Sequence, residues 1–191
     1  MTDITSKIKD FQAHPGVLIA MPQLEDPHFH RAVVLMLEHN EEGALGLILN
    51  HPIDHPCAQV TESFSLPWPG PPDARLRRGG PVEAASLWML HHDRHQFTET
   101  RPVVPGVAVS RSRDALRTLC TALETDLHLL VGYSGWAPGQ LEQEMASGTW
   151  ILGRATAELV FSVAPEDLWT HALAELGIHP AHLVESSGDV Q

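Results

Sequence analysis

The sequence has few of the features that mark secreted or membrane proteins. Its two cysteines, Cys57 and Cys120, are too few for a disulfide framework and are not spaced as C-x-x-C. No apolar run approaches the ~18 residues that a membrane helix needs. Residues 1–15, which we interpret as an N-terminal extension, lack the continuous apolar segment of a secretion signal. These absences favour a reduced, cytoplasmic protein with no membrane partner.

Basic side chains are also scarce, and they are unevenly distributed. The chain has 12 Lys and Arg against 24 Asp and Glu, a net charge of −12, which opposes binding to nucleic acid. Residues 75–117 nevertheless carry eight arginines against four acids, a net +4. One interpretation is ordinary variation along a folded chain. The alternative is an arginine-rich patch for an anionic ligand or an acidic partner, with Arg75, Arg77 and Arg78 as candidates.

Motifs for cofactor binding or catalysis are missing as well. The glycine-rich segments do not match G-x-G-x-x-G or G-x-x-x-x-G-K-[ST], and no lysine follows residue 9. Thirteen histidines include small groups at 26–30 and 91–95, but neither forms a recognised set of metal ligands. A nucleophile elbow would need glycine where Trp136 stands. We therefore expect no metal, no cofactor and no catalytic residue.

What is present is the pattern of one domain that alternates strands and helices. Its 191 residues, 43% of them hydrophobic, are enough for a sizeable core. The apolar patterns predict strands at 16–21, 31–39, 44–50, 86–91, 103–110 and 126–133, and an edge hairpin of 150–152 and 158–163. They predict helices at 58–64, 112–123 and 138–147, and a last helix between Pro165 and Gly177. Residues 65–74, with four prolines, predict a surface loop, residues 185–191 a disordered tail, and residues 16–184 the domain.

Three blocks place glycine and proline beside strand-like apolar residues: 43–52, 78–82 and 132–142. Such exceptions to propensity indicate close backbone approach, bulges or a shaped cleft. The second block could expose backbone N–H groups to an anion, or form a tight turn into a strand. After Trp136 of the third block, Gln140 and Glu144 lie four residues apart and share a helix face. The candidate ligand-binding residues are Asn50, Gly79, Gly80, His91, Trp136, Gln140 and Glu144.

These blocks, taken with their flanking segments, resemble the bacterial AlgH/YqgE family. The matching segments are Leu18-Ile19-Ala20-Met21-Pro22, Asp26-Pro27-His28-Phe29, Glu38-His39-Asn40, residues 43–50, Gly79-Gly80-Pro81-Val82, Leu90-His91, residues 132–142 and Trp150. They run in matching order from about residue 16 to residue 177. The resemblance implies a single α/β (α+β) domain with a bifurcated mixed β-sheet folded as a pseudo-barrel and helices packed outside. The family is linked to transcriptional control of alginate production and has no accepted catalytic residues.

Three functions follow as hypotheses. The first is a non-catalytic binding or regulatory protein that acts on transcription indirectly, through an unknown protein or small-molecule partner. The second is a hydrolase-like enzyme that uses His91 as a base in a glycine-lined cleft. The third is direct DNA binding, which the net charge and the lack of a helix-turn-helix pattern oppose. The oligomeric state is left open.

Overall fold

The computed structural model describes residues 16–180 and residue 183. The strands are β1 (Gly16–Ala20), β2 (Val33–Asn40), β3 (Gly43–Ile48), β4 (Pro52–Pro56), β5 (Arg75–Arg78), β6 (Val82–His91), β7 (Arg101–Val104), β8 (Val107–Ser110), β9 (Leu127–Trp136) and β10 (Trp150–Arg154). The helices are α1 (Cys57–Glu62), α2 (Arg113–Thr121), α3 (Gln140–Ala146), α4 (Ala157–Phe161) and α5 (Leu168–Glu175). The extension at 1–15 and the tail at 185–191 lie outside the described residues.

The sheet divides at β9. One edge of β9 pairs with the antiparallel strand β6. On the other edge, Ser134 pairs with Gly46 of the antiparallel strand β3, whereas Leu130 pairs with Arg77 of the parallel strand β5. β5 pairs in turn with β4, so the strand before α1 and the strand after the 65–74 loop are hydrogen-bonded to each other. The predicted bifurcated mixed sheet is therefore confirmed.

The sheet also curves back on itself. Its main path runs β10-β1-β2-β3-β9-β6-β8-β7. Five steps of ~4.8 Å would place β2 and β7 about 24 Å apart in a flat sheet. Arg101 of β7 instead donates hydrogen bonds to the Leu37 carbonyl and the Glu38 carboxylate of β2. Since the end strands β10 and β7 do not pair in the described part of the chain, the expected pseudo-barrel is an open one.

The two faces of this curved sheet bury different cores. In β1, Val17 and Ile19 contribute to the cluster inside the curve, which α4 and α5 cover. The alternating residues Leu18 and Ala20 point to the outer face, where α3 packs. A third cluster joins α2 to the outer sides of β6 and β9. This alternation is the period of two that strands impose on their side chains.

Two predicted elements were wrong. Residues 158–163 are not a hairpin strand, since Ala157–Phe161 forms α4 with Thr156 as its N-cap; the run of branched apolar residues is ambiguous between the two structures. The single strand predicted at 103–110 is two strands, because Gly106 makes a turn with φ +84°. No helix of the described residues is long and apolar enough to span a membrane.

Candidate functional site

The glycines of the second block hold the chain against β9. A Cβ on Gly79 would lie 2.4 Å from the Gly132 carbonyl oxygen, and one on Gly80 would lie 2.1 Å from the Tyr133 carbonyl carbon. Both glycines are buried. No side chain fits at either position without displacing the backbone of β9. The blocks therefore make the close backbone approach that their composition predicted.

The polar groups beside these glycines are used within the fold. The backbone N–H groups of Arg78 and Gly79 donate to carbonyl oxygens of neighbouring segments, each at 2.8 Å. Asn50 accepts a hydrogen bond from the Val33 N–H and donates one to the Arg31 carbonyl, both at 2.8 Å. Asn50 thereby ties the end of β3 to the start of β2. Its predicted role in binding a ligand stays a prediction.

Trp136, Gln140 and Glu144 meet in a hydrogen-bonded group that we call the tryptophan clamp, together with Trp150. The Glu144 carboxylate accepts the indole N–H of Trp136 at 2.9 Å and that of Trp150 at 2.8 Å. Its second oxygen accepts the Gln140 amide at 2.9 Å. The clamp connects β9, α3 and β10. The helical spacing correctly placed Gln140 and Glu144 side by side, and a ligand role for them remains untested.

Trp136 also lines a shallow cavity of about 430 Å³, beyond the clamp. The other lining residues are Glu38, Asn40, Glu42, Gly43, Ala44, Leu45, Val82, Tyr133 and Gly135. Its charged side chains, Glu38 and Glu42, are both acidic. The predicted residues Gly79, Gly80, Gln140 and Glu144 are not among those that line it.

His91 lies at the opposite end of β9 from Trp136. It pairs with Leu127 at the start of β9, nine residues from Trp136 and therefore about 30 Å away along the strand. Its ring is fully buried; Nδ1–H donates to the His92 carbonyl at 2.9 Å, and Nε2 accepts the Ser110 hydroxyl at 2.9 Å. Burial lowers its pKa. His91 does not line the cavity beside Trp136.

A second cavity, of about 490 Å³, lies between β5, the 65–74 loop and the segment that joins α4 to α5. We call it the arginine cavity. Its lining is Pro52, Cys57, Trp68, Pro71, Asp73, Ala74, Arg75, Arg77, Thr125, Leu127, His128, Phe161, Ser162, Val163, Ala164, Pro165 and Glu166. Its volume falls within the range typical of small-molecule sites.

Arg77 is the charged group at the buried end of this cavity. The residue is only 8% exposed. One guanidinium N–H donates to the Leu49 carbonyl at 2.8 Å, and none of the ion pairs among the described residues involves Arg77. Burial lowers its pKa to about 10, so it remains charged at neutral pH. A buried charge is normally paired, and here the remaining donors are left to the cavity.

The other titratable groups at the buried end are neutral. Burial, followed by the charge of Arg77, lowers the pKa of His128 to about 3. Its Nε2–H donates to the Val160 carbonyl at 2.9 Å. Burial raises the pKa of the Cys57 thiol to about 11. Arg77 is thus the one charge among the buried lining residues.

The mouth of the cavity carries charges of both signs. Arg75, Asp73 and Glu166 are exposed there, and Arg75 lies 3.4 Å from Asp54. Arg78, the third member of the predicted patch, is exposed and does not line the cavity. The structure therefore brings two of the three predicted arginines together.

Sequence reasoning missed the rest of the arginine cavity. Trp68 within the proline-rich loop was the available signal, because a large aromatic residue in an otherwise polar loop usually packs against something. His128 and Phe161 gave no such signal, since each belongs to a continuous apolar pattern. They contact one another across elements, with ring centroids 5.4 Å apart.

Two residues of the histidine group at 91–95, Arg94 and His95, belong to an ion-pair network. Arg94 and His95 bond the buried Glu124 carboxylate at 2.5 and 2.6 Å. Burial would raise the pKa of Glu124, but these bonds and the Asp126 N–H hold it below its ordinary value. Within the described residues no group of three or more His, Cys, Asp or Glu side chains could hold a metal ion.

An open, bifurcated mixed sheet with helices packed against it, an α+β fold, defines the structural class of this protein. The chain belongs to the AlgH-like family (DUF179), whose profile matches residues 17–181. It is 42% identical to a UPF0301 protein of Myxococcus xanthus over 91% of this chain and 96% of the relative. It is 38% identical to one from Photobacterium profundum, over 90% and 95%.

Two solved structures have a similar fold. The solution structure of the AlgH protein from Pseudomonas aeruginosa has a TM-score of 0.70 at 31% identity, covering 93% of this chain and 95% of that one. A crystal structure of a Corynebacterium diphtheriae protein, DIP2367, also has a TM-score of 0.70, at 25% identity, covering 85% and 86%. These likenesses support the fold expected from the sequence.

Proposed function

We propose that this protein is a cytosolic binding protein without catalytic activity, which affects transcription through a small molecule or protein partner and not by contacting DNA. The observation that carries the proposal is that most arginines of residues 75–117 make contacts within the folded protein. Binding to DNA without base recognition requires several cationic side chains that reach phosphates together. Most arginines of residues 75–117 are instead engaged in contacts within the fold.

Four of these arginines lie in ion pairs. Their partners are Asp54 for Arg75, Glu124 for Arg94, Glu38 for Arg101 and Glu83 for Arg111. Arg113 lies over the Phe64 ring at 4.9 Å. Arg77 is buried in the arginine cavity. Six of the eight arginines are thus paired, stacked or enclosed, which leaves Arg78 and Arg117 exposed on a chain with a net charge of −12.

The groups at the arginine cavity favour binding over catalysis. A general base works best when its pKa is near the working pH, whereas that of His128 is lowered to about 3. A thiol nucleophile must be ionised, whereas the pKa of Cys57 is raised to about 11. Both cysteines are free thiols, which suits the cytosol.

A DNA-binding measurement tests this proposal. Fluorescence anisotropy with a panel of labelled promoter duplexes, at ~150 mM salt, is expected to give affinities no tighter than about 10⁻⁴ M. A triple variant with Arg75, Arg78 and Arg117 changed to Gln serves as the control and is expected to behave like the parent. Sequence-specific binding below micromolar concentration, lost in that variant, would overturn the proposal.

A further inference from the structure

We infer that the arginine cavity binds a small organic carboxylate, with its single negative charge on Arg77 and an apolar body of one or two rings beside Trp68 and Phe161. This inference rests on the proposed binding function and names the chemistry of the ligand. It uses three separate observations, on the bottom, the walls and the mouth of the cavity.

The bottom of the cavity supplies an unpaired cation. Arg77 is held in place by its bond to the Leu49 carbonyl, and its other N–H groups find no acceptor among the described residues. A guanidinium presents a planar fork of donors that matches the two oxygens of a carboxylate. His128 and Cys57 are neutral, so neither side chain compensates the charge of Arg77, and an anionic group of a ligand would do so.

The walls of the cavity include a substantial apolar surface beside their polar groups. Trp68 and Phe161 contribute rings, and Pro52, Leu127 and Pro165 contribute aliphatic surface. The Trp68 indole is fixed, because its N–H donates to the Pro71 carbonyl at 2.9 Å. A volume of about 490 Å³ accommodates a bicyclic molecule with room to spare. Such walls bind an apolar body and leave a bare inorganic anion poorly covered.

The mouth of the cavity limits the charge of the ligand. Asp73 and Glu166 are both exposed there, against the single cation Arg75, whose charge is shared with Asp54. A ligand with two or more negative charges would meet repulsion from these carboxylates on one side and only Arg77 on the other. A monoanion such as a carboxylate is favoured over a phosphate ester for this reason.

Isothermal titration with four probes tests the assignment: 2-naphthoate, neutral 2-naphthamide, 2-naphthyl phosphate and inorganic phosphate. We expect 2-naphthoate to bind most tightly. The amide is expected to bind at least about 10-fold more weakly, because it lacks the charge that strengthens the bond to Arg77. Tighter binding of the phosphate ester would overturn the assignment to a carboxylate, and equal binding of the amide would overturn an anion site.

Variants of the full chain place the site. Arg77→Met is expected to weaken 2-naphthoate binding by about 30-fold or more, since charge-assisted hydrogen bonds are lost. Arg77→Lys keeps the charge but loses the fork and is expected to give an intermediate loss. Trp68→Ala is expected to weaken the naphthyl probes but not inorganic phosphate. The matched control, Arg78→Met on the same strand, is expected to bind normally.

The outcomes separate this inference from the proposed function. If Arg77→Met and Arg77→Lys both bind 2-naphthoate like the parent chain, the arginine cavity is not the site and the inference fails. That result leaves the indirect mode of action intact, provided that the duplex measurement remains negative. Tight duplex binding would instead refute the proposed function, whatever the naphthoate titration gives.

Discussion

Replacement of Arg77 by methionine tests whether this side chain stabilises the fold or serves mainly to bind a ligand. Methionine preserves the unbranched apolar stem and removes the charge. Burial lowers the pKa of Arg77 to about 10, well below the pKa of arginine in water. At about 1.4 kcal/mol per pH unit, the charged guanidinium costs the folded state about 3 kcal/mol.

The substitution also removes a favourable contact. The hydrogen bond from Arg77 to the Leu49 carbonyl, at 2.8 Å, has a charged donor and contributes about 1.5–3 kcal/mol. The two effects nearly cancel. We therefore expect the free energy of unfolding of Arg77→Met to differ from that of the parent by less than about 1.5 kcal/mol, which for a chain of this size is a Tm change of less than about 5 °C.

Urea unfolding followed by circular dichroism measures this difference, with Arg78→Met as the control on the same strand. The exposed control is expected to change stability by no more than about 0.5 kcal/mol. A loss of more than about 3 kcal/mol in Arg77→Met is the size seen when a buried ion pair is broken. That result would refute a ligand-binding role for Arg77, because it would mean that the guanidinium is paired within the fold.

Three other perturbations have definite expected outcomes. Glu144→Met leaves the two indole N–H groups of the tryptophan clamp unpaired and should lower the free energy of unfolding by about 2–5 kcal/mol, measured by thermal or urea unfolding. The control Gln143→Met, on the same helix, should cost little. Equal effects of the two substitutions would show that the clamp does not stabilise the fold. In the folded protein the pKa of His128 is lowered to about 3. Between about pH 6.5 and pH 3, therefore, the His128 imidazole binds a proton in the unfolded chain but not in the folded one. The free energy of unfolding should then fall by up to about 1.4 kcal/mol per pH unit as the pH drops from 6.5 towards 3. The check is the pH dependence of the urea midpoint: if it is the same in His128→Phe as in the parent, protonation of His128 is not the cause. Gly132→Ala places a Cβ 2.5 Å from a backbone oxygen at φ +70° and should lower the free energy of unfolding by more than about 3 kcal/mol. Gly148→Ala is the control, because it has a similar φ of +76° but no atom within 4 Å of the added Cβ, and it should cost about 1–2 kcal/mol. Similar losses of stability in the two variants would refute the close approach.

The parts of the fold that the sequence predicted are those with strong periodicity. The continuous apolar run of β2 indicated a strand covered on both faces, and the structure buries residues 33–37 in that way. The stripe of Ala115, Leu116 and Leu119 predicted α2, with Ser112 as its cap. Each of these signals is local, so it survives without knowledge of the tertiary contacts.

The elements that the sequence did not predict have no such pattern. β4 begins and ends with proline, and β5 is three arginines and a leucine, so neither shows the alternation of a half-buried strand. Burial of Arg77 was equally invisible, because arginine is almost never fully buried without a partner. The prediction of an arginine-rich patch therefore named residues of the cavity without indicating that one of them is enclosed.

The candidate site was predictable only where its residues are close in sequence. Gln140 and Glu144 share a helix face by spacing alone. Their second tryptophan, Trp150, was missed because β10 brings it back from beyond the helix. The arginine cavity draws its lining from residues 52 to 166, and contacts over such separations come from the sheet topology and not from any local pattern.

A crystal structure of the protein with 6-bromo-2-naphthoate tests the central claim most directly, because the anomalous signal of bromine shows where the ligand lies. The account predicts one bromine peak inside the arginine cavity, close to the rings of Trp68 and Phe161. It also predicts the carboxylate oxygens at about 2.7–2.9 Å from the guanidinium nitrogens of Arg77. A bromine peak in the acidic cavity beside Trp136, or a carboxylate that leaves Arg77 without a partner, would contradict it.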